Sequence, residues 1–240
     1  MRRRIQYRES LLPPIRTPRI ISIVEVVFFG EFYPAVFGVW DDEVYCLDIL
    51  RDSSEETCGA FLKTLDAHQV ETIYVDPVDS LFNAVNQYFP MASIVVTDEA
   101  IQRYARNAML DIIHSDGKRF PVVHKDRRLT VLRKNLDDKT VIPRIKEGMN
   151  SRPRLKQAYD HHQRLLELME TKWLMEDLQT WAKQIPTEVD EFLAVGDIID
   201  IFDEQLCGFL ALNEKLPNNY QFAIQASVMP SKICRTVFSM

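Results

Sequence analysis

Apolar residues in the first hundred positions come in short runs that are typical of β-strands. The first run, Ile20–Phe29, is rich in β-branched residues and predicts a central strand that is buried on both faces. Two more strands are predicted over Ala35–Trp40 and Glu43–Leu50, and the pair of aspartates between them indicates a hairpin. Pro34 and its neighbours are expected to separate the first strand from the second.

The next part of the chain alternates helical and strand patterns. A helix is predicted from Ser53 to about His68, because serines that can cap a helix precede acids in its first turn. Two strand–helix units follow, over Val70–Val75, Val78–Tyr88, Ala92–Val96 and Asp98–His114. This order predicts an α/β, ribonuclease-H-like fold, in which a mixed sheet has an antiparallel three-strand start and then parallel strands.

The second half of the chain shows mainly helical periodicity, over Arg154–Trp173, Leu174–Ile185 and Glu188–Leu212. We therefore expect a large all-helical insertion after the sheet. The predicted organisation is a basic N-terminal arm (1–19), a ribonuclease-H-like core (20–116), the helical insertion (117–206) and a C-terminal segment that returns to the core (207–240).

Composition narrows the function classes. With 46% hydrophobic and 27% charged residues, the sequence is that of a globular protein, and it has neither a membrane-length apolar run nor a glycine-rich phosphate loop. The four cysteines lack zinc-finger spacing, so we interpret them as buried thiols in a reducing cytoplasm, with a zinc site as the weaker alternative. They are Cys46, Cys58, Cys207 and Cys234.

The net charge is −6, so any contact with DNA has to come from local basic patches. Residues 1–19 hold six arginines and one acid, and they are either a solvated tail or a nucleic-acid-binding arm. The candidate DNA-binding side chains are Arg2, Arg3, Arg4, Lys125, Arg127, Arg128, Arg133 and Lys134. The patch around Lys125 is either a phosphate contact or a solvated face.

His161 and His162 stand side by side on a predicted helix. Adjacent helical residues diverge by about 100 degrees, which does not favour a shared metal ion. We therefore expect polar surface residues here.

Several short stretches, in a fixed order and spacing, are similar to a known family. They are Pro18–Glu25, Asp48–Asp52, Tyr74–Asp76, Ser93–Val96, Leu132–Leu136 and Trp181–Pro186. Over roughly residues 18–229, the chain resembles the DDE domain of the ISL-three group of insertion-sequence transposases. The resemblance implies a nuclease and strand transferase, in which three carboxylates hold two divalent ions, Mg²⁺ or Mn²⁺.

The three acids can be carried over position by position. The first falls on Val24, which cannot ligate a metal, and its neighbour Glu25 points to the opposite face of the strand. The second falls on Asp76, the one position that keeps a possible metal ligand. The third falls on Phe222, with Glu214 as the nearest acid.

The resemblance also implies an Asp-x-Phe-His cluster after the next strand, where this chain reads Thr97-Asp98-Glu99-Ala100. Asp98 is interpreted as a helix cap or a first-turn acid, with a displaced metal ligand as the alternative. We also expect that the family's end-finding zinc or helix-turn-helix module is missing from this chain.

The favoured hypothesis is a transposase-derived protein that is catalytically inactive, needs no cofactor and acts by binding. The partner is either DNA or a protein that contacts the helical insertion, and no membrane is involved. The alternative is a metal-dependent DNA nuclease whose rearranged acidic site combines Asp76 with Asp98, Glu25 or Glu214. A third interpretation is a likeness of fold alone.

Overall fold

The described part of the chain falls into two compact units. A computed structural model describes residues 16–28, 31–40, 43–116, 149, 151–171 and 173–212. One unit contains residues 16–95 and the other contains residues 96–212. The candidate arm residues Arg2, Arg3 and Arg4 and the whole 125–134 basic patch lie outside the described residues.

The first unit is built on a five-stranded sheet. Its strands are β1 (Ile20–Phe28), β2 (Glu31–Trp40), β3 (Glu43–Ile49), β4 (Thr72–Val75) and β5 (Ser93–Val95). The spatial order is β3-β2-β1-β4-β5, with antiparallel pairs among the first three and parallel pairs for β1–β4 and β4–β5. The predicted α/β, ribonuclease-H-like architecture is thereby confirmed.

Pro34 does not interrupt the second strand, contrary to the expectation from the sequence, because β2 runs through it from Glu31 to Trp40. The carbonyl of Pro34 accepts the N–H of Leu50, one residue beyond the end of β3. The N–H and C=O of one residue in an antiparallel strand point to the same neighbour. The missing proline N–H therefore faces the place where β3 ends, and no rung to β1 is lost.

Two helices cover one face of the sheet. Helix α1 (Glu55–Leu62) is capped by Ser54, whose hydroxyl accepts the N–H of Thr57, and α2 spans Asp79–Tyr88. Alternate residues of β1 face these helices, so Ile21 and Ile23 belong to the same buried cluster as Leu62 and Leu81. Helix α1 ends at Leu62, before the predicted His68. The residues after it form turns in which an N–H donates to the carbonyl three residues earlier.

The other face of the sheet carries a second, smaller apolar cluster. Its buried members are Val24, Val26, Ala35 and Phe37. They come from alternate positions of the paired strands β1 and β2, in the register that sets Val24 opposite Ala35. Consecutive residues of β1 thus pack into two different apolar clusters, one on each face of the sheet.

The second unit is helical throughout its described part. It contains α3 (Asp98–Asp116), α4 (Pro153–Met169), α5 (Met175–Lys183), a 3₁₀ turn (Asp190–Phe192), α6 (Leu193–Ile201) and α7 (Asp203–Leu212). Helix α3 packs against α4, the 3₁₀ turn and α6. The stretch that was predicted to be uniformly helical from Glu188 to Leu212 is divided into three pieces.

His161 and His162 are buried in this unit, so the expectation that they lie on the surface is wrong. They are 2% and 1% exposed, and the His161 ring stacks on Trp181 with centroids 4.3 Å apart. Helix α4 has buried residues on more than one side. His162 lies on the buried face that also carries Ala158, four residues earlier, and Leu165, three residues later. This spacing was the signal in the sequence that pointed to burial.

Three cysteines lie in the described residues, and all three are free thiols. Cys58 is buried, as predicted, whereas Cys46 is only half-buried, and burial raises the pKa of both thiols to about 11. Cys207 is exposed, contrary to that expectation, because it lies on a side of α7 that does not face the core of the helical unit. None of the described helices is both long enough and apolar enough to cross a lipid bilayer.

Candidate active site

The candidate site lies where β1 and β4 run side by side towards the same edge of the sheet. These strands are parallel, and their register pairs Ile23 with Val75. The next residue of each strand, Val24 and Asp76, therefore comes side by side at the carboxyl end of β4. The first and second positions carried over from the transposase resemblance are thus neighbours in this fold.

Asp76 closes the hydrogen-bond ladder between the two strands. Its N–H donates to the carbonyl of Ile23 at 3.0 Å, as expected of a parallel ladder. The next rung would take the Glu25 N–H to the main-chain carbonyl of Asp76, but that carbonyl accepts the N–H of Val78 in a tight turn. The Asp76 side chain takes over the rung, and its Oδ2 accepts the Glu25 N–H at 2.6 Å.

Asp76 is 2% exposed, so its carboxylate is removed from water and held by protein contacts. A buried main-chain N–H that loses its acceptor costs about 1–3 kcal/mol. We therefore expect Asp76→Ala to lower the free energy of unfolding by about that amount in urea denaturation. Asp76→Asn keeps an acceptor oxygen and should cost less, whereas a loss below about 0.5 kcal/mol for the alanine variant would contradict this role.

Val24 and Glu25 point to opposite faces of the sheet. Val24 is 6% exposed and packs in the apolar cluster with Val26, Ala35 and Phe37. Glu25 is half-buried, and its Oε1 accepts the hydroxyl of Ser53 at 2.9 Å. The carboxylate of Glu25 is therefore engaged beside the start of α1, on the face of the sheet opposite to the Val24 side chain.

Asp98 occupies the first turn of α3 and is not its cap. The hydroxyl of Thr97 accepts the N–H of Ala100 at 3.2 Å, so the capping contact belongs to Thr97. Burial, with a further contribution from Glu99, raises the pKa of Asp98 to about 8. A carboxyl group that holds its proton near neutral pH is a poor ligand for a divalent cation.

The donor atoms at the β1–β4 edge do not fit a pair of divalent ions. Mg²⁺ and Mn²⁺ take hard oxygen ligands, but Val24 offers an isopropyl group and Asp76 already receives an N–H. Within the residues that the structure describes, no group of three His, Cys, Asp or Glu side chains is placed to hold a metal ion. Glu214 and Phe222 lie outside the described residues.

Most of the chain matches a known protein family. A family described as transposase, the ISL-three type of the DDE class, matches residues 30–213 of the chain. The chain belongs to the ISL-three-type DDE transposase family. The resemblance noted in the sequence is confirmed, and the likeness is not one of fold alone. Among curated proteins, none matches this sequence.

The family match covers Asp76 and most of the helical unit, and it excludes Val24 and Phe222. The assignment of the first acid to Val24 therefore stays a prediction from the resemblance, and the sheet register sets Val24 beside Asp76. Both residues were singled out by the resemblance to the family, and their correspondence to metal-binding acids stays a prediction. Sequence reasoning did not find that the Asp76 carboxylate replaces a rung of the ladder, since that contact depends on the register.

Proposed function

We propose that this member of the transposase family binds DNA and does not carry out the family's two-metal cleavage. The observation that carries the proposal is the packing of Val24, the residue to which the resemblance assigns the first metal-binding acid, in an apolar cluster. A lone carboxylate has little affinity for Mg²⁺, which gives up its water reluctantly. The remaining acid, Asp76, serves the main chain of the neighbouring strand.

DNA binding is supported by membership of the family and by the distribution of positive charge. The chain is acidic overall, but arginines are concentrated in residues 1–19, and a second basic patch occupies residues 124–134. Local patches of this kind supply the phosphate contacts that dominate affinity for DNA. The proposed place of action is the cytoplasm, in keeping with the free cysteines in the described residues.

The decisive experiment is plasmid nicking in the presence of Mg²⁺ or Mn²⁺. We expect no metal-dependent conversion of supercoiled plasmid above the level of a mock purification, because two metal-binding acids are replaced in the proposed site. Binding of labelled duplex DNA, measured by fluorescence anisotropy in the same preparation, should weaken steeply as salt increases. Nicking that requires metal and disappears in Asp76→Asn would overturn the proposal and favour the alternative, a nuclease with a rearranged acidic site around Asp76.

A second candidate function is binding of a protein partner through the helical unit. The observation in its favour is that three large apolar side chains of this unit, Leu174, Leu193 and Ile201, are each more than half exposed. Single exposed apolar residues are common on protein surfaces, so this candidate ranks second. A pull-down from the native host, repeated with Leu193→Ser and Ile201→Ser, separates it from DNA binding.

A further inference from the structure

An open groove lies at the end of the sheet opposite to the end that carries Val24 and Asp76. We call it the entry groove, and its polar and aromatic lining includes Arg16, Arg19, Trp40, His68, Gln69 and Glu71. Arg19 and Glu71 precede β1 and β4, and Trp40 is the last residue of β2. The groove has a volume of about 470 Å³, within the usual range of ligand sites.

The entry groove is separate from the candidate active site. Ile20, at the groove end of β1, is four residues from Val24, which corresponds to about 13 Å along a strand. All the groove residues belong to the first unit, so the site is complete within one compact body. A ligand bound in the groove is therefore not bound at the candidate active site.

Hydrogen-bond donors are in excess in the groove. The Nε and Nη2 atoms of Arg19 donate to the two carboxylate oxygens of Glu71 at 2.7 and 2.6 Å, which fixes the guanidinium plane. The third nitrogen, Nη1, is left for another acceptor. Arg16 adds a second guanidinium, and Glu71, the acidic residue of the lining, is already paired. An excess of fixed N–H donors favours an anionic ligand with several oxygen acceptors.

The Arg19–Glu71 pair does not block such a ligand. Both side chains are more than half exposed, and an exposed ion pair is weak because water and salt screen it. A phosphate group that approaches Nη1 can therefore share Arg19 with Glu71. The indole of Trp40 forms part of the wall, and its Nε1 atom is buried without a hydrogen-bond partner in the described part of the chain.

We propose that the entry groove binds a phosphate of the DNA backbone through Arg16 and Arg19. The sequence that precedes the groove carries four further arginines, Arg2, Arg3, Arg4 and Arg8, which favours a polyanion over a small free anion. The inference rests on the proposed function, because it assumes that DNA is the ligand. It goes further by assigning a contact outside the family's acidic site, on the opposite end of the sheet.

The test is a salt series of duplex DNA binding with single-charge variants of the full chain. Each lost phosphate contact should reduce the slope of log K against log salt by about 0.9. We expect that decrease, with a severalfold loss of affinity at low salt, in Arg16→Gln and in Arg19→Gln. Arg19→Lys should retain the slope, and Glu71→Gln should raise the affinity because a competing acid is removed.

The matched control is Arg51→Gln, which removes the same charge from an exposed arginine of the same unit outside the groove. All these side chains are at the surface, and circular dichroism checks that each variant is folded. If Arg16→Gln and Arg19→Gln behave like Arg51→Gln, the groove inference is overturned while the proposed function stands. If the wild-type chain does not bind duplex DNA even at low salt, the proposed function fails and the inference fails with it.

Discussion

Acidification from pH 6.5 to 4 is expected to destabilise the helical unit. The cause is the pair of buried imidazoles on α4. Burial lowers the pKa of His161 and of His162 to about 4, and the positive charges of Arg164 and Arg106 act in the same direction on the first and the second ring. The rings are enclosed by Trp181 and Phe192, and their nitrogens have no hydrogen-bond partner in the described residues.

The direction in which pH changes the free energy of unfolding depends on which state, folded or unfolded, binds more protons. A histidine with a folded pKa of about 4 and an unfolded pKa of 6.5 binds fewer protons in the folded state, so its contribution is complete above pH 6.5 and is lost as the pH falls to 4. Each such group changes the free energy of unfolding by about 1.4 kcal/mol per pH unit. Asp98 has the opposite effect. Its raised pKa of about 8 means that the folded state binds this proton more tightly than the unfolded state, so its contribution to stability is lost as the pH rises to about 8.

The net expectation is maximum stability of this unit near pH 6.5 and a loss of about 1–1.5 kcal/mol per pH unit below it. Urea denaturation between pH 7 and 4, followed by the fluorescence of Trp173 and Trp181 in a Trp40→Phe background, measures it. In His161→Phe/His162→Phe the slope should reverse, since Asp98 is left. His68→Gln, which removes an exposed imidazole from the other unit, is the control. A double variant with the wild-type pH profile would contradict the assignment.

Much of the fold could be predicted because its determinants are local. The apolar run of β1 and the hairpin aspartates specify the first strands, and the alternation of strands and helices specifies the parallel part of the sheet. Pro34 misled the prediction, since whether a proline breaks a strand depends on which neighbour its missing N–H would face. That neighbour is the end of β3, which only the three-dimensional pairing reveals.

The candidate site was predictable as a set of positions but not as a set of contacts. The resemblance assigned the first two acid positions to Val24 and Asp76, and the register of β1 and β4 sets these two residues side by side. The contact of the Asp76 carboxylate with the main chain of Glu25 and the Arg19–Glu71 ion pair of the entry groove each join residues about fifty positions apart in the sequence. The polarity of histidine, taken residue by residue, concealed the burial of His161 and His162.

An acid at the position of Val24 is expected to destabilise the protein strongly in the absence of metal. Val24→Asp would bring a carboxylate into the cluster of Val26, Ala35 and Phe37, beside the buried Asp76. An unpaired charge in such a place costs about 3–5 kcal/mol. Repulsion between the two carboxylates favours a proton on one of them, so the loss should grow as the pH rises through neutrality.

The same variant tests why the wild-type site is proposed to be inactive. If the site is inactive because this ligand is absent, Mn²⁺ should bind between the new carboxylate of Val24→Asp and the carboxylate of Asp76. Binding should then raise the free energy of unfolding of the variant by about 2.7 kcal/mol at a metal concentration one hundred times the dissociation constant. Val24→Asn has nearly the same shape without the charge, so neither it nor the wild type should gain stability from Mn²⁺. Equal stabilisation of the wild type by Mn²⁺ would mean that Asp76 already has enough partners to hold a metal ion. That result would make the rearranged nuclease the better account of this protein.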